Sequence, residues 1–309
     1  MQRLLALCLI LALSIPFFSS CNKKGDQQQA KVIGVALLTR GHIFYRDLEE
    51  GLMAEAKKNN YELIITSAEF DLGKQIAQIE DFISRKVDAI IVCPVDSKGI
   101  GPGVRSANQA KIPVFTADIA AQDGEVVCHI ASDNVAGGRL AGEFLAKALN
   151  GKGNIAIINH PAVTSVLDRV QGFQDAIALH PGIKVVADVS GQGVRDRSLQ
   201  ATTDVLQAHP DLAGIFGIND DSALGALDAV QQFKRPGIVI VGYDATPPAV
   251  DAIMKETALK ADVIQYPDKI GSATIAMIRD YFAGVPVPPL VPVEVGIVDR
   301  VALTTSSSR

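Results

Sequence analysis

The stretch VIGVALLTRGHIFYRDLEEGLMAEAKKNNYELIIT, residues 32–66, places a longer amphipathic segment between two short apolar runs. The runs, residues 32–38 and 61–66, are rich in Val, Ile and Leu and have the length of buried strands. Between them Leu48 and Leu52 lie four residues apart, which places them on one face of a helix. Strand, helix and strand in this order predict a βαβ unit with parallel strands.

The same alternation continues beyond this unit in two successive series. The first is predicted to continue with strands at residues 89–93 and 114–117 and helices at 76–83 and 104–109. The second opens with a helix at residues 134–150, which Asp133 precedes as a candidate cap. Its remaining elements are predicted as strands at residues 155–159, 184–189, 214–218 and 238–243 and helices at 165–179, 199–208 and 223–233. Two such series predict an α/β protein with two doubly wound parallel-sheet lobes.

The end of the sequence is too short for a third domain. It is predicted to form a strand at residues 258–265, a helix at 270–282 and one extended run at 291–298. These elements are therefore expected to complete the two lobes.

The first residues of the chain have the layout of a secretory signal. A basic residue, Arg3, precedes an apolar run at residues 4–18, and this run is shorter than the ~20 apolar residues that a membrane span needs. Ser19-Ser20-Cys21 resembles the bacterial lipoprotein processing box, so residues 1–20 are predicted to be a signal peptide and Cys21 to carry lipid. An ordinary signal with an incidental cysteine is the alternative. Residues 21–31 then form a lipidated cysteine and a polar tether.

Composition limits the classes of function. The net charge is -5 and no basic tract is present, which argues against nucleic acid as a partner. Cys93 and Cys128 both fall in apolar, strand-like runs, and the sequence leaves a disulfide and two buried thiols equally open.

Polar residues follow most of the predicted strands. Because ligands of open parallel sheets bind at the carboxyl ends of the strands, these residues are the candidate site. They comprise carboxylates, amides, hydroxyls and two aromatic residues, within Thr39–Tyr45, Asp96-Ser97, Asp118, Asn159-His160, Thr164-Ser165, Asn219-Asp220, Asp244 and Gln265. Carboxylates and amides can each bind two neighbouring hydroxyls, and aromatic rings pack on the apolar face of a sugar. The set therefore favours a polyhydroxylated ligand.

Several of these residues have a structural alternative. Asp96, Asp133 and Asp220 each precede a predicted helix, where they are more typical of caps than of ligand contacts. His42 is equally well explained as a solvated loop residue. Asp244 and Asn219 favour a functional role, because each closes a buried apolar run where a polar side chain needs a partner.

A family resemblance rests on several motifs in order along the chain. They are VVCHIASDN at residues 126–134, AHPD at 208–211, NDDSALG at 219–225, VGYDATP at 241–247 and QYPDKIG at 265–271. With them the chain resembles a ribose-type periplasmic binding protein of an ATP-binding cassette importer. The resemblance implies that the ligand lies between two lobes joined by three crossings near Ser132, Gln265 and Val295. The lobes would comprise residues 32–132 with 266–294, and residues 133–265 with 295–309.

The resemblance also implies roles for individual residues. The residues matching the family's site are Phe44 and Tyr45, which would sandwich a sugar ring, and Asp118, Asn219, Asp244 and Gln265, which would bind hydroxyls. Ile119 and Leu167 stand where ribose-binding relatives carry Arg, so ribose is not assigned as the ligand. Arg40 and His42 of the first lobe are candidate replacement donors, as are Arg195 or Arg197 of the second.

These inferences predict an extracytoplasmic lipoprotein that captures a monosaccharide or polyol for a membrane permease. It is expected to act as a monomer without a metal or cofactor, in the periplasm or on the outer face of the cell membrane. A sensor that presents its ligand to a chemotaxis receptor or a sensor kinase is the alternative. An enzyme is disfavoured because no phosphate loop or nucleophile elbow is present, and a repressor because a signal and tether stand where a helix-turn-helix would be.

Overall fold

The computed structural model describes residues 30–306, with side chains to residue 305; the predicted signal peptide, Cys21 and most of the tether lie outside them. The strands are β1 (Lys31–Leu37), β2 (Tyr61–Ser67), β3 (Ala89–Val92), β4 (Val114–Ala117), β5 (Cys128–Ser132), β6 (Lys152–Asn159), β7 (Gly182–Ser190), β8 (Leu212–Gly217), β9 (Val239–Asp244), β10 (Leu259–Ile264), β11 (Leu290–Val293) and β12 (Gly296–Asp299). The helices are α1 (Ile43–Lys58), α2 (Leu72–Arg85), α3 (Gly101–Gln109), α4 (Asn134–Ala148), α5 (Thr164–Ile177), α6 (Arg195–Ala208), α7 (Asp220–Gln232), α8 (Pro247–Met254), α9 (Pro267–Phe282) and α10 (Arg300–Ser306).

The strands form two six-stranded sheets of the same design. Their orders are β11-β5-β4-β3-β1-β2 and β12-β10-β9-β8-β6-β7. Neighbouring strands are parallel except β12, which pairs antiparallel with β10. The first sheet and its helices are called the first lobe, and the second sheet and its helices the second lobe. The predicted class of two doubly wound α/β lobes is confirmed.

The chain passes between the two sheets three times. It leaves the first sheet after β5, returns to it after β10, and leaves it again after β11. The lobe boundaries at residues 132, 265 and 294 stay predictions, because membership of a sheet does not fix which lobe the linking residues move with.

Glycines bring α4 and α5 of the second lobe unusually close. A Cβ at Gly138 of α4 would lie 1.9 Å from the backbone oxygen of Arg169, and one at Gly172 of α5 would lie 2.0 Å from that of Val135. Backbones at this separation leave no room for side chains between them. The position of Arg169 is therefore fixed by main-chain packing.

Several elements differ from the prediction. The extended run at residues 291–298 is two strands, β11 and β12, in different sheets, because the chain crosses between the lobes inside it. Helix α8 (Pro247–Met254) was not predicted; it is only 8 residues long and follows directly on the candidate site. Cys93 and Cys128 are buried free thiols, which settles the two alternatives for them. No helix within residues 30–306 is long and apolar enough to cross a membrane.

Candidate ligand-binding site

A cavity lies between the carboxyl ends of the strands of the two sheets. We call it the interlobe cavity. Its lining contains the polar residues His42, Tyr45, Asp118, His160, Ser165, Arg169, Asn219, Asp244 and Gln265, and the apolar residues Leu38, Phe44, Phe70, Ile119, Val163, Val166, Gly193 and Ile218. Both lobes contribute to this lining, which combines several convergent polar groups with apolar side chains, as small-molecule sites do.

Seven of the eight predicted ligand-binding residues line this cavity, and Arg40 does not. The Arg40 guanidinium instead makes two hydrogen bonds of 2.7 Å to Glu49 on α1 and is 43% exposed. Arg195 is similarly paired with Asp228, and Arg197 does not line the cavity. The prediction that these arginines replace missing donors is therefore corrected: their side chains do not line the cavity.

Asp118 follows β4 and presents an unused acceptor to the cavity. Its Oδ2 accepts a hydrogen bond of 2.7 Å from the Tyr45 hydroxyl, while its Oδ1 is buried without a donor among the described residues. The backbone φ of +67° turns this side chain away from the regular strand geometry. Burial raises the pKa of Asp118, and the charge of Arg169 opposes that rise. A ligand hydroxyl would satisfy the orphaned oxygen.

Asp244 ends β9 and faces the cavity from the second lobe. Its Oδ1 accepts a hydrogen bond of 2.6 Å from Gln265 Nε2 and lies 3.9 Å from Nη1 of Arg169. Burial raises the pKa of Asp244 to about 7, against the opposing charge of Arg169. Gln265 Oε1 is buried without a donor among the described residues. Asp244 and Gln265 are thus joined by a hydrogen bond, and Gln265 Oε1 is still available as an acceptor.

Arg169 is a cavity residue that the sequence analysis missed. Its Nε donates to Asn134 Oδ1 over 2.9 Å, its Nη1 donates to the Ile218 carbonyl over 2.8 Å, and its guanidinium lies 3.9 Å from the Tyr243 ring centroid. Leu167, two residues earlier on α5, is 42% exposed. Arg169 therefore supplies a guanidinium to the cavity from the helix on which Leu167 replaces the arginine of ribose-binding relatives.

A signal for Arg169 was present in the sequence. Val166, Val170 and Phe173 are buried on one face of α5, and Arg169 lies on that face with only 5% exposure. A charged side chain on the buried face of a helix needs polar partners, so it indicates a site.

Asn219 combines a structural role with a place in the cavity lining. It is the N-cap of α7, where its Oδ1 accepts from Ser222 N over 2.9 Å and its Nδ2 donates to Gly193 O over 3.1 Å. The cap expected of Asp220 is therefore made by Asn219, and Asp220 binds Thr246 instead. Asp133 does cap α4, as expected.

His42 is not a solvated loop residue. Its side chain is only 16% exposed, and its Nε2 lies 3.0 Å from Oδ2 of Asp221 on α7, in the opposite lobe. Burial lowers the pKa of His42, but the hydrogen bond and the charge of Asp221 outweigh this effect and raise the pKa.

A second set of contacts joins the lobes at another point. Ser97 N donates to the Ala162 carbonyl over 3.1 Å, and Thr164 N donates to Ser97 Oγ over 3.0 Å. Ala120 N donates to Thr164 Oγ1 over 3.1 Å. The lobes therefore touch through polar groups beside the cavity as well as through His42.

The aromatic residues of the first lobe do not form parallel walls. The Phe44 and Tyr45 rings meet edge to face, with centroids 5.2 Å apart and planes at 83°. This spacing leaves no room for a sugar ring between them, which corrects the expected sandwich. Phe70, which the sequence analysis missed, also lines the cavity and meets the His42 ring edge to face at 5.4 Å.

Two α/β lobes of similar topology with a polar cavity between them define the architecture of a type I periplasmic binding protein. A family model described as the periplasmic binding protein domain matches residues 33–285. The chain belongs to this family.

Individual relatives match most of the chain. The ribose import binding protein RbsB of Salmonella typhimurium is 34% identical over 299 residues, which cover 96% of this chain and 98% of the relative. A xylitol-binding protein of Mycolicibacterium smegmatis is 34% identical over 72% of this chain and 64% of its own length. Among solved structures, an ABC transporter periplasmic solute-binding protein of Actinobacillus succinogenes with bound D-allose superposes with a TM-score of 0.82 at 28% identity, over 89% of this chain and 99% of that one.

Proposed function

We propose that the protein is an extracytoplasmic solute-binding lipoprotein that captures a monosaccharide or polyol and delivers it to an ATP-binding cassette permease. The observation that carries the proposal is the placement of two carboxyl groups, the buried Asp118 and the partly buried Asp244, on opposite sides of one cavity. Relatives described as binding ribose, xylitol and allose support a polyhydroxylated ligand. The ribose and allose relatives are described as import and ABC transporter proteins, which favours delivery to a permease over the sensor alternative.

The unused hydrogen-bonding capacity of the cavity matches hydroxyl groups. Asp118 Oδ1 and Gln265 Oε1 are acceptors without donors among the described residues, and a hydroxyl can donate to either. Arg169 supplies a cation next to Asp244 and supports the ionised form of that carboxyl. The apolar side chains of Phe44, Phe70 and Ile119 remain for the C–H faces of the ligand.

Closure of the two lobes on the ligand is part of the proposal. The cavity residues come from both lobes, and hydrogen bonds between the lobes flank the cavity. A ligand that contacts both lobes favours the closed state over an open one. We propose that the protein acts as a monomer and is held at the membrane by lipid on Cys21.

A thermal-shift screen of the mature protein tests the ligand class. D-ribose, D-allose, xylitol and myo-inositol are the probes, with amino acids and purine nucleosides as the comparison set. A ligand that binds only the folded state at a hundred times its Kd adds about 2.7 kcal/mol of stability, so a sugar or polyol is expected to raise the Tm. The Asp118→Ala variant is the control and should show no shift with the same ligand. A shift with an amino acid or nucleoside alone would overturn the assignment.

A further inference from the structure

The loop that carries Asp244 into the cavity has a strained backbone. Asp244 has a φ of 121° and Ala245 a φ of 56°, both in the region that favours glycine. Two hydrogen bonds to carboxyl groups hold the loop: Ala245 N donates to Asp262 Oδ1 over 3.1 Å, and Thr246 N donates to Asp220 Oδ2 over 2.7 Å. The conformation therefore depends on Asp262 of β10 and Asp220 of α7.

These two carboxyl groups are buried and in contact with each other. Asp262 is 0% exposed and Asp220 is 4% exposed. Each has one buried oxygen, Asp262 Oδ2 and Asp220 Oδ1, without a hydrogen-bond partner among the described residues, and the proximity of Asp220 raises the pKa of Asp262. Two ionised carboxylates have only acceptors, so a proton on one of them is needed for these two oxygens to satisfy each other.

The proton belongs on Asp262. Asp220 Oδ2 already accepts from both the backbone N and the Oγ1 of Thr246, which favours the ionised form. Among the described residues, Asp262 accepts from Ala245 N alone. The charged groups that raise the pKa of Asp262 are two carboxyls, those of Asp220 and Asp244. Burial is the largest cause that raises the pKa of Asp262 well above its usual value, and it also raises that of Asp220 to about 6.

Other charged groups of this region lie beyond the pair. Asp221 on α7 raises the pKa of Asp220. The charges of Arg169 on α5 and of His42 in the first lobe lower the pKa of Asp244. On the sheet, Asp262 lies between Gly242 of β9 and Val298 of β12, which carry no charge.

We propose that Asp262 is a positioning residue of the binding site: as a neutral carboxylic acid it donates to Asp220 and accepts from Ala245, and so holds Asp244 toward the cavity. Only the part concerning ligand affinity rests on the proposed function. The protonation of Asp262 and its effect on the folded protein do not depend on which ligand is bound.

The first experiment needs no ligand. The carboxyl ¹³C resonance of Asp262 is followed from pH 4 to 9 in aspartate-labelled protein and assigned by its loss in Asp262→Asn. We expect it to remain that of a neutral acid at pH 7. Unfolding by urea is then compared between the parent and Asp262→Asn over the same pH range, with Asp251→Asn, an exposed carboxyl on α8, as the control.

The raised pKa of Asp262 determines how the stability of the folded protein should change with pH. The stability that the neutral acid contributes is fully present below the unfolded pKa, about 3.9, and is lost as pH rises toward the folded pKa. Asp262→Asn cannot ionise, so its folding equilibrium constant relative to the parent should rise with pH by up to tenfold per unit. Asp251→Asn should show no such rise. Parallel curves for the parent and Asp262→Asn, or an ionised Asp262 at pH 7, would overturn the proposal.

The second experiment measures affinity by calorimetry, with D-ribose and xylitol as probes. Asp262→Asn, whose amide can donate to Asp220 and accept from Ala245, should bind within threefold of the parent. Asp262→Ala should lose at least tenfold, with its fold checked by circular dichroism. Equal losses in the two variants would contradict the positioning role. If the parent binds neither probe, the proposed function is in question, while the resonance and the unfolding curves still decide the state of Asp262.

Discussion

His42 Nε2 lies 3.0 Å from Oδ2 of Asp221, and the two residues belong to opposite lobes. This ion pair exists only where the lobes approach each other. Under the proposed closure it contributes to the closed state and not to an open one, so we expect the closed state to be sensitive to the charge of His42.

We expect the affinity for ligand to depend on this pair below neutral pH. The pKa of His42 is raised in the closed state, so the stabilisation is present at low pH and is lost as pH rises through that pKa. The pair is partly exposed, so it contributes about 0.5 to 1 kcal/mol, or about two- to fivefold in affinity. Asp221→Asn should bind that much more weakly than the parent at pH 5.5 and equally at pH 8.5. Calorimetry at both pH values checks this, and an equal deficit at both would contradict it.

Asp118→Ala is expected to abolish measurable binding. The variant removes an acceptor that we assign to ligand hydroxyls, and two charge-assisted hydrogen bonds of about 1.5 kcal/mol each correspond to more than a hundredfold in affinity. Asp133→Ala is the matched control, because Asp133 caps α4 through Ala136 N outside the cavity. It should lower the free energy of unfolding by about 1 kcal/mol without changing affinity. Binding by Asp118→Ala within threefold of the parent would show that the site is misplaced.

Arg169→Met should destabilise the folded protein even without ligand. The change removes hydrogen bonds to Asn134 and to the Ile218 carbonyl and leaves Asp244 without its nearest cation. Breaking a buried charged network in this way costs about 3 kcal/mol, measurable by urea denaturation. Leu167→Ala, two residues earlier on the exposed side of α5, should change stability by no more than about 0.5 kcal/mol. Similar values for the two variants would rule out a structural role for the guanidinium.

Ligand binding is expected to make the protein more compact. The cavity is lined by both lobes, so a bound ligand favours their approach. Small-angle scattering with and without a ligand found in the screen should show a smaller radius of gyration in its presence. Asp118→Ala at the same ligand concentration should keep the larger radius. An unchanged radius in the parent, with binding shown independently, would count against closure.

Cys21 is expected to be the lipidated amino terminus of the mature chain. The small residues before it and the polar tether after it are the basis of this expectation. Mass spectrometry of the membrane fraction should show a diacylated Cys21, and Cys21→Ala should move the protein to the soluble fraction. An unmodified terminus at another residue would exclude the anchor.

The sequence predicts the secondary structure and topology of this protein better than its side-chain contacts. Apolar runs located the strands, and polar residues at strand ends located Asp118, Asp244 and Gln265 at one cavity, because the carboxyl ends of parallel strands converge. Arg169 was missed since it projects from a helix rather than from a strand end. Arg40 was predicted in the site but is paired with Glu49, a partner on the helix that follows its own loop.

The pair of Asp220 and Asp262 shows why the remainder could not be predicted. The two residues are 42 positions apart in sequence, and Asp262 lies within a strand, where its side chain could equally have faced solvent. Only the packing of α7 against β9 and β10 brings the two carboxyls together. Such contacts depend on tertiary structure and leave no local pattern.

The burial of both thiols within the described residues makes cysteines introduced on the surface selective targets for chemical labelling. Cys93 and Cys128 are fully enclosed and unpaired, and burial raises the pKa of Cys128 to about 11. Thiolates are the reactive species toward maleimides, so both residues should be inert in the native protein. In a Cys21→Ala background, one cysteine introduced on the surface of each lobe would accept a fluorophore selectively, and the opening of the lobes could be followed in single molecules.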